Sequence, residues 1–201
     1  ARVCRPKLSL PFGAETMLER VVRMLQGVVS PVVVVAASAQ GLPRLPDAVR
    51  IARDEHEGLG PLAGLAAGLA ALSGAVEAAY VTSCDAPLLK PEFVRALTEA
   101  LGDCDMVIPA DGEYHHPLAG VYRTSLANRV ASLVDAGRLR PVYLLDECRS
   151  KVVDVDELRA VDPRLDSLRN TNTEAEYLAA LAAAGLAPSG SNSGQCAGGD
   201  V

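Results

Sequence analysis

The run "PVVVVAA" (31–37) is apolar without a break and almost wholly β-branched. Strands that read this way are buried on both faces, as in parallel sheets. "AAYVTSCD" (78–85) follows the same pattern and turns polar at its end, while "AVRIARDE" (48–55) and "DMVIPAD" (105–111) are shorter versions. Ala1–Cys4 reads as the last residues of one more buried strand. Between these runs the period becomes helical. "AETMLERVVRMLQGV" sets Met17, Leu18, Val21, Val22 and Leu25 on one face, and "GPLAGLAAGLAALSG" is an Ala/Leu helix whose small residues allow close packing. "KPEFVRALTEALG" starts with Pro91 in the first turn, where a missing N–H costs little, and stops at Gly102.

Strands alternating with helices predict a doubly wound α/β fold with right-handed crossovers. After about residue 112 the rhythm changes. "EYHHPLAGVYR" predicts a strand returning beside the sheet, and "SLANRVASLVDAG" a helix with Gly137 just past its end. "SKVVDVDEL", "SLRNTNT" and a last helix "TEAEYLAALAAAG" complete one domain over 1–186. Residues 187–201 are Ser/Gly-rich and predict a disordered tail.

Composition narrows the function classes. At 201 residues, 49% hydrophobic and 22% charged, the chain reads as one globular domain. A net charge of −6 argues against a nucleic-acid partner, which needs a basic face to displace counterions. It leaves room for an anionic small molecule held by a few cations and a metal ion. Cys4, Cys84, Cys104, Cys148 and Cys196 form no CxxC pair, so free thiols in a reducing compartment are expected. With no signal segment and no apolar stretch of membrane length, the expected location is the cytoplasm, away from membranes.

Several positions carry candidate chemistry. Asp85, in "VTSCDAPLL", closes an apolar strand, and ligands of open α/β sheets bind outside such strand ends. Its carboxylate suits a hard cation such as Mg²⁺, or else caps a turn. Asp54, in "RDEHEGLGPLAG", ends a shorter strand. Gly58 and Gly60 let the backbone bend before Pro61, so amides there can approach a nucleotide, or the segment is an ordinary loop. Lys7 reads as a cation for a triphosphate or as a surface lysine, and Arg5 shares that ambiguity. His115 and His116 stand too far from other ligands for zinc. Asn170 and Asn172 suit a helix N-terminus, and their alternating amides can also reach a ligand together. No G-x-S-x-G, H-E-x-x-H, Walker A or G-x-G-x-x-G sequence occurs.

"RPKLSLPFG", "RDE…GPLAG", "SCDAPLL", "HHPLAGVY" and "NTNT", in this order from Arg5 to about Leu181, resemble the molybdenum cofactor guanylyltransferase family. Cytidylyl-transferring cousins tend to carry a "GDQP"-like stretch where this chain has "SCDAP", which favours the guanylyl branch. The resemblance implies a Rossmann-like three-layer nucleotidyltransferase fold with a mostly parallel central sheet. It implies transfer of GMP from Mg-GTP to the terminal phosphate of molybdenum-bound molybdopterin, with release of pyrophosphate. GTP and the molybdopterin cofactor are then its small-molecule partners, and cofactor-delivering and acceptor molybdoenzymes its protein partners. By position, Lys7 resembles the phosphate-binding lysine and Asp85 the Mg²⁺ ligand, the two catalytic residues. Asp54, Gly60, Pro61, Leu62 and Gly64 resemble the guanine-nucleotide segment, and His116, Pro117, Asn170 and Asn172 the pterin side.

Two departures stand out. The family's glycine-rich segment between first strand and lysine has no counterpart here, where Cys4 is followed directly by Arg5. Near the end of "PVVVVAA", Val35 stands where the family can have a nucleotide-contacting Asn. Three readings stay open on the residues alone: the guanylyltransferase, a nucleotidyltransferase for CTP or a sugar phosphate, and an inactive loop-deleted binding module.

Overall fold

The computed structural model describes residues 9–54 and 58–187. The expected first strand, Arg5, Lys7, the Cys4–Arg5 junction and nearly all of the expected tail lie outside them.

A short hairpin, β1 (Pro11–Phe12) and β2 (Glu15–Thr16), leads into α1 (Met17–Gln26). Thr16 and Glu19 form a reciprocal capping box there, which satisfies amides that the first turn leaves unpaired. The stripe read from the sequence is the stripe that is buried: Met17, Leu18, Val21, Val22 and Leu25. Burying each such side chain stabilises by about 1.5–3 kcal/mol. The stripe packs on β3 (Val32–Ala37), which pairs in parallel with β4 (Val49–Asp54).

Helix α2 (Pro61–Leu72) crosses the other face of β3. Its small residues work as expected: a Cβ on Gly68 would stand 3.2 Å from Val35. The chain then enters a five-stranded sheet through β5 (Ala78–Thr82), continues through α3 (Pro91–Ala100) into β6 (Met106–Asp111), and returns as β7 (Tyr114–His115) and β8 (Ala119–Arg123). The returning strand is interrupted at His116–Leu118, so β7 pairs with one end of β6 and β8 with the other. Helix α4 (Ala127–Asp135) packs on α2, and β9 (Ser150–Asp154) joins the far edge of β6 in parallel before a short α5 (Val155–Leu158). The last helix, α6 (Glu174–Ala183), has its own Thr173–Glu176 capping box and covers the β1–β2 hairpin with Leu181.

The layering is the expected α/β one, but the sheet is mixed. β8 lies antiparallel between β5 and β6, because β6 reaches it through a tight turn and not through a crossover helix. Among the described residues, the β3–β4 ladder and the five-stranded sheet share no strand pairing. Their facing edges, Val32–Val35 and Tyr80–Thr82, bound a cleft of about 360 Å³ walled by α1 and α2.

Candidate functional site

That cleft runs along β3 and β5, and Thr82, Ser83 and Cys84, at and just past the carboxyl end of β5, share its lining with Pro61 and Gly64 at the start of α2. Beyond it the chain turns through Asp85. The Ser83 hydroxyl donates to Asp85 Oδ1 at 2.5 Å, and Asp85 as a residue is only 8% exposed. The turn is held from two further directions. Arg20 Nε donates to the Pro87 carbonyl at 2.7 Å, and the Thr171 amide donates to the Asp85 carbonyl at 2.9 Å. A carboxylate fixed this way is a hard oxygen donor in a defined place. Among the described residues there is no group of three or more His, Cys, Asp or Glu side chains able to hold a metal. Among those residues Asp85 alone would be the protein's ligand to Mg²⁺, an ion that takes one or two carboxylates and completes its shell with substrate phosphates and water.

The start of α2 is built by glycine. Gly60 sits at φ 82°, ψ −169°, a backbone region open to glycine alone. It delivers the chain into the helix with no side-chain cap, and Pro61 at the first turn has no N–H. Leu62 and Ala63, whose amides come next, are buried, so the exposed surface of this start is that of Gly60 and Pro61. Gly64 and Pro61 line the cleft. Leu62 does not fit the nucleotide assignment. It is fully buried in the core with Met106, Tyr122 and Val130, because its place on the helix turns it inward, and it offers a nucleotide no surface. Asp54 ends β4 opposite Ala37, one strand further out, and does not line the cleft. Val35 does line it.

The residues assigned to a pterin fall in two places. His116 and Pro117 form the break between β7 and β8, beside Leu118 on the cleft. The His116 ring meets Tyr114 edge-on at 4.9 Å, and burial lowers its pKa below the ordinary imidazole value. The Pro117 carbonyl accepts from the Tyr122 hydroxyl at 2.7 Å. Asn170 lies elsewhere, with Arg169, Thr171 and Glu176, around a second hollow of about 440 Å³ at the start of α6. The Asn172 amide donates to Glu176 at 2.8 Å. What ties this second place to Asp85 is Thr171, buried to 1% exposure between the two asparagines. Its amide bond to the Asp85 carbonyl joins parts of the chain 86 residues apart. Sequence reading passed over Thr171 and Ser83. Their flanking Asn and Asp residues were the available signal.

Residues 1–151 match the model of the MobA-like NTP transferase domain. A probable molybdenum cofactor guanylyltransferase of Mycobacterium tuberculosis (strain ATCC 25618 / H37Rv) is 40% identical over 171 residues, 84% of this chain and 80% of that protein. One from Mycobacterium avium (strain 104) is 39% identical over 188 residues, 91% and 90% of the two chains. Among solved structures, molybdopterin-guanine dinucleotide biosynthesis protein A from Archaeoglobus fulgidus superposes with a TM-score of 0.73 at 24% identity, over 92% of this chain and 93% of that one. A 2-C-methyl-D-erythritol 4-phosphate cytidylyltransferase from Thermus thermophilus gives 0.67 at 17% identity, over 90% and 94%. These last two show a shared fold.

Proposed function

This chain belongs to the MobA-like NTP transferase family, and from that premise we propose that it transfers GMP from GTP to the terminal phosphate of molybdenum-bound molybdopterin. A phosphate oxygen of the acceptor attacks the α-phosphorus of GTP, and the bond from that phosphorus to the β-phosphate bridge breaks. The guanine dinucleotide cofactor forms and pyrophosphate leaves. The observation that carries this reading is that the α2 start and the Ser83–Cys84 approach to Asp85 line one cleft, at the carboxyl end of β5. The relatives at 39–40% identity support the guanylyl branch.

The chemistry asks little of the side chains. A phosphate monoester is already a nucleophile at neutral pH, so no strong general base is required. Catalysis reduces to holding two phosphates in line and neutralising charge. The glycine-built start of α2 and Lys7 hold the nucleotide, Asp85 would hold Mg²⁺, and Asn170 and Asn172 face the pterin. Magnesium, when bound, supplies positive charge to the triphosphate. Ser83 fixes the Asp85 carboxylate by donating to Oδ1.

Asp85→Asn tests the assignment. The amide oxygen still accepts from Ser83, and the Thr171 bond uses the main chain, so the fold is expected to survive. Pyrophosphate release with Mg-GTP and molybdenum-bound molybdopterin is expected to fall about a hundredfold or more. Retained turnover removes Asp85 from the site. CTP binding as well as or better than GTP overturns the guanylyl assignment, and a wild-type chain that releases no pyrophosphate is a binding module instead.

A further inference from the structure

The Asp85 loop and the segment before α6 run past one another in opposite directions and are bonded at both ends. At one end the Thr171 amide donates to the Asp85 carbonyl at 2.9 Å, with the Thr171 hydroxyl 3.3 Å from the same oxygen. At the other, the Lys90 amide donates to the Ser167 hydroxyl at 3.0 Å, and Lys90 Nζ donates to Asp162 Oδ1 at 2.7 Å. Nζ also lies 3.5 Å from Asp166 Oδ2. Asp162 has no exposed surface, and its second oxygen accepts the Ser167 amide at 2.8 Å. Asp166 is shared with Arg164 at 3.1 Å and Arg169 at 3.0 Å.

A buried carboxylate cannot slide along its partner without losing a compensating charge, which is costly. The Lys90–Asp162 contact therefore sets the register of the two segments. Asn170 and Asn172 flank Thr171, so their distance from the Asp85 carboxylate follows that register. The α2 start packs elsewhere, through Leu62 and Ala63 on Met106, Tyr122 and Val130.

We propose that Lys90 is a positioning residue for the transfer: through Asp162 it keeps the Arg169–Asn172 segment in step with the Asp85 loop, and so sets where the acceptor phosphate stands relative to GTP. This rests on the guanylyl-transfer reading above. The Asp162 carboxyl agrees with it. Burial raises its pKa, and the bonds from Lys90 and Ser167 more than reverse that, leaving it below the ordinary value.

The test uses the full chain with Lys90→Met and Lys90→Arg. Hydrogen exchange of residues 166–172, read by mass spectrometry without ligands, reports the clamp whether or not the chain is a guanylyltransferase. Steady-state turnover reports its use. Lys90→Met is expected to speed exchange across 166–172 and to raise the KM for molybdenum-bound molybdopterin about tenfold or more. The Kd for Mg-GTP is expected to stay within about twofold. Lys90→Arg keeps the cation and is expected to recover most of the acceptor KM. Unchanged exchange overturns the clamp. Faster exchange with an unchanged acceptor KM, an equal loss of Mg-GTP affinity, or no recovery with Arg makes Lys90 merely structural and overturns the positioning role. A wild type with no transfer activity refutes the guanylyl reading and the positioning role with it, while the exchange result still stands for the clamp. Should Lys90→Met fail to fold, Ser167→Ala cuts the neutral bond of the same clamp. A rise of about threefold in acceptor KM is then expected, and no rise overturns the proposal.

Discussion

Gly60→Ala isolates the backbone from everything else at the cleft. An added Cβ there would meet no atom within 4 Å, so the change brings no collision. What it brings is a side chain at φ 82°, ψ −169°, where L-residues carry roughly 1–3 kcal/mol of strain. Taking about 2 kcal/mol, a chain of this size is expected to lose about 4–8 °C in Tm. If the segment instead relaxes to an ordinary φ, the chain enters α2 from a different direction and Pro61 and Gly64 shift at the cleft. Part of the stability then returns and Mg-GTP affinity falls. Urea denaturation followed by circular dichroism measures the first quantity, and calorimetric titration with Mg-GTP the second. Gly41→Ala is the control, since Gly41 also has open space but no positive φ, and it is expected to lose nothing. A Gly60→Ala chain with wild-type stability and wild-type GTP affinity refutes both the assigned backbone geometry and its role.

Gly120→Ala is expected to behave in the opposite way, failing through contact and not through φ. Its Cβ would fall 2.6 Å from Ile108 Cγ2 and 2.7 Å from the Val107 carbonyl, so a loss of about 1–3 kcal/mol in urea denaturation is expected, and wild-type stability refutes the packing. Asp162 and Asp166 both have folded pKa values below the ordinary carboxylate value. Their contribution is therefore fully present above about pH 4 and lost as pH falls through the lower folded values. Asp162→Asn is expected to flatten, without abolishing, the acid limb of stability measured against pH. An unchanged limb removes Asp162 from the titration.

The parts of this molecule legible in the sequence are those decided locally. The α1 stripe is set by a 3.6-residue period, and the α2 start by Gly60 next to Pro61. The return of β8 was legible, but its place between β5 and β6 was not, because an apolar run does not name the strands it pairs with. Leu62 falls within the quoted motif yet turns into the core, because a motif gives positions in order, whereas a helix turns each one to a different side. The Lys90–Asp162 pair spans 72 residues, and no spacing rule reaches that far. Thr171 sits between two amides that look more chemical than it does, and the buried bond belongs to the Thr.

The family match ends at residue 151, yet Asp162, Ser167 and Thr171 close on the Asp85 loop from beyond it. The Asp85 loop is thus braced from outside the matched stretch, with Lys90 as the socket for the brace. A chimera that grafts a relative's C-terminal third onto this chain must bring that relative's residue 90 counterpart with it. Grafted alone, the new segment would inherit a lock cut for a different key.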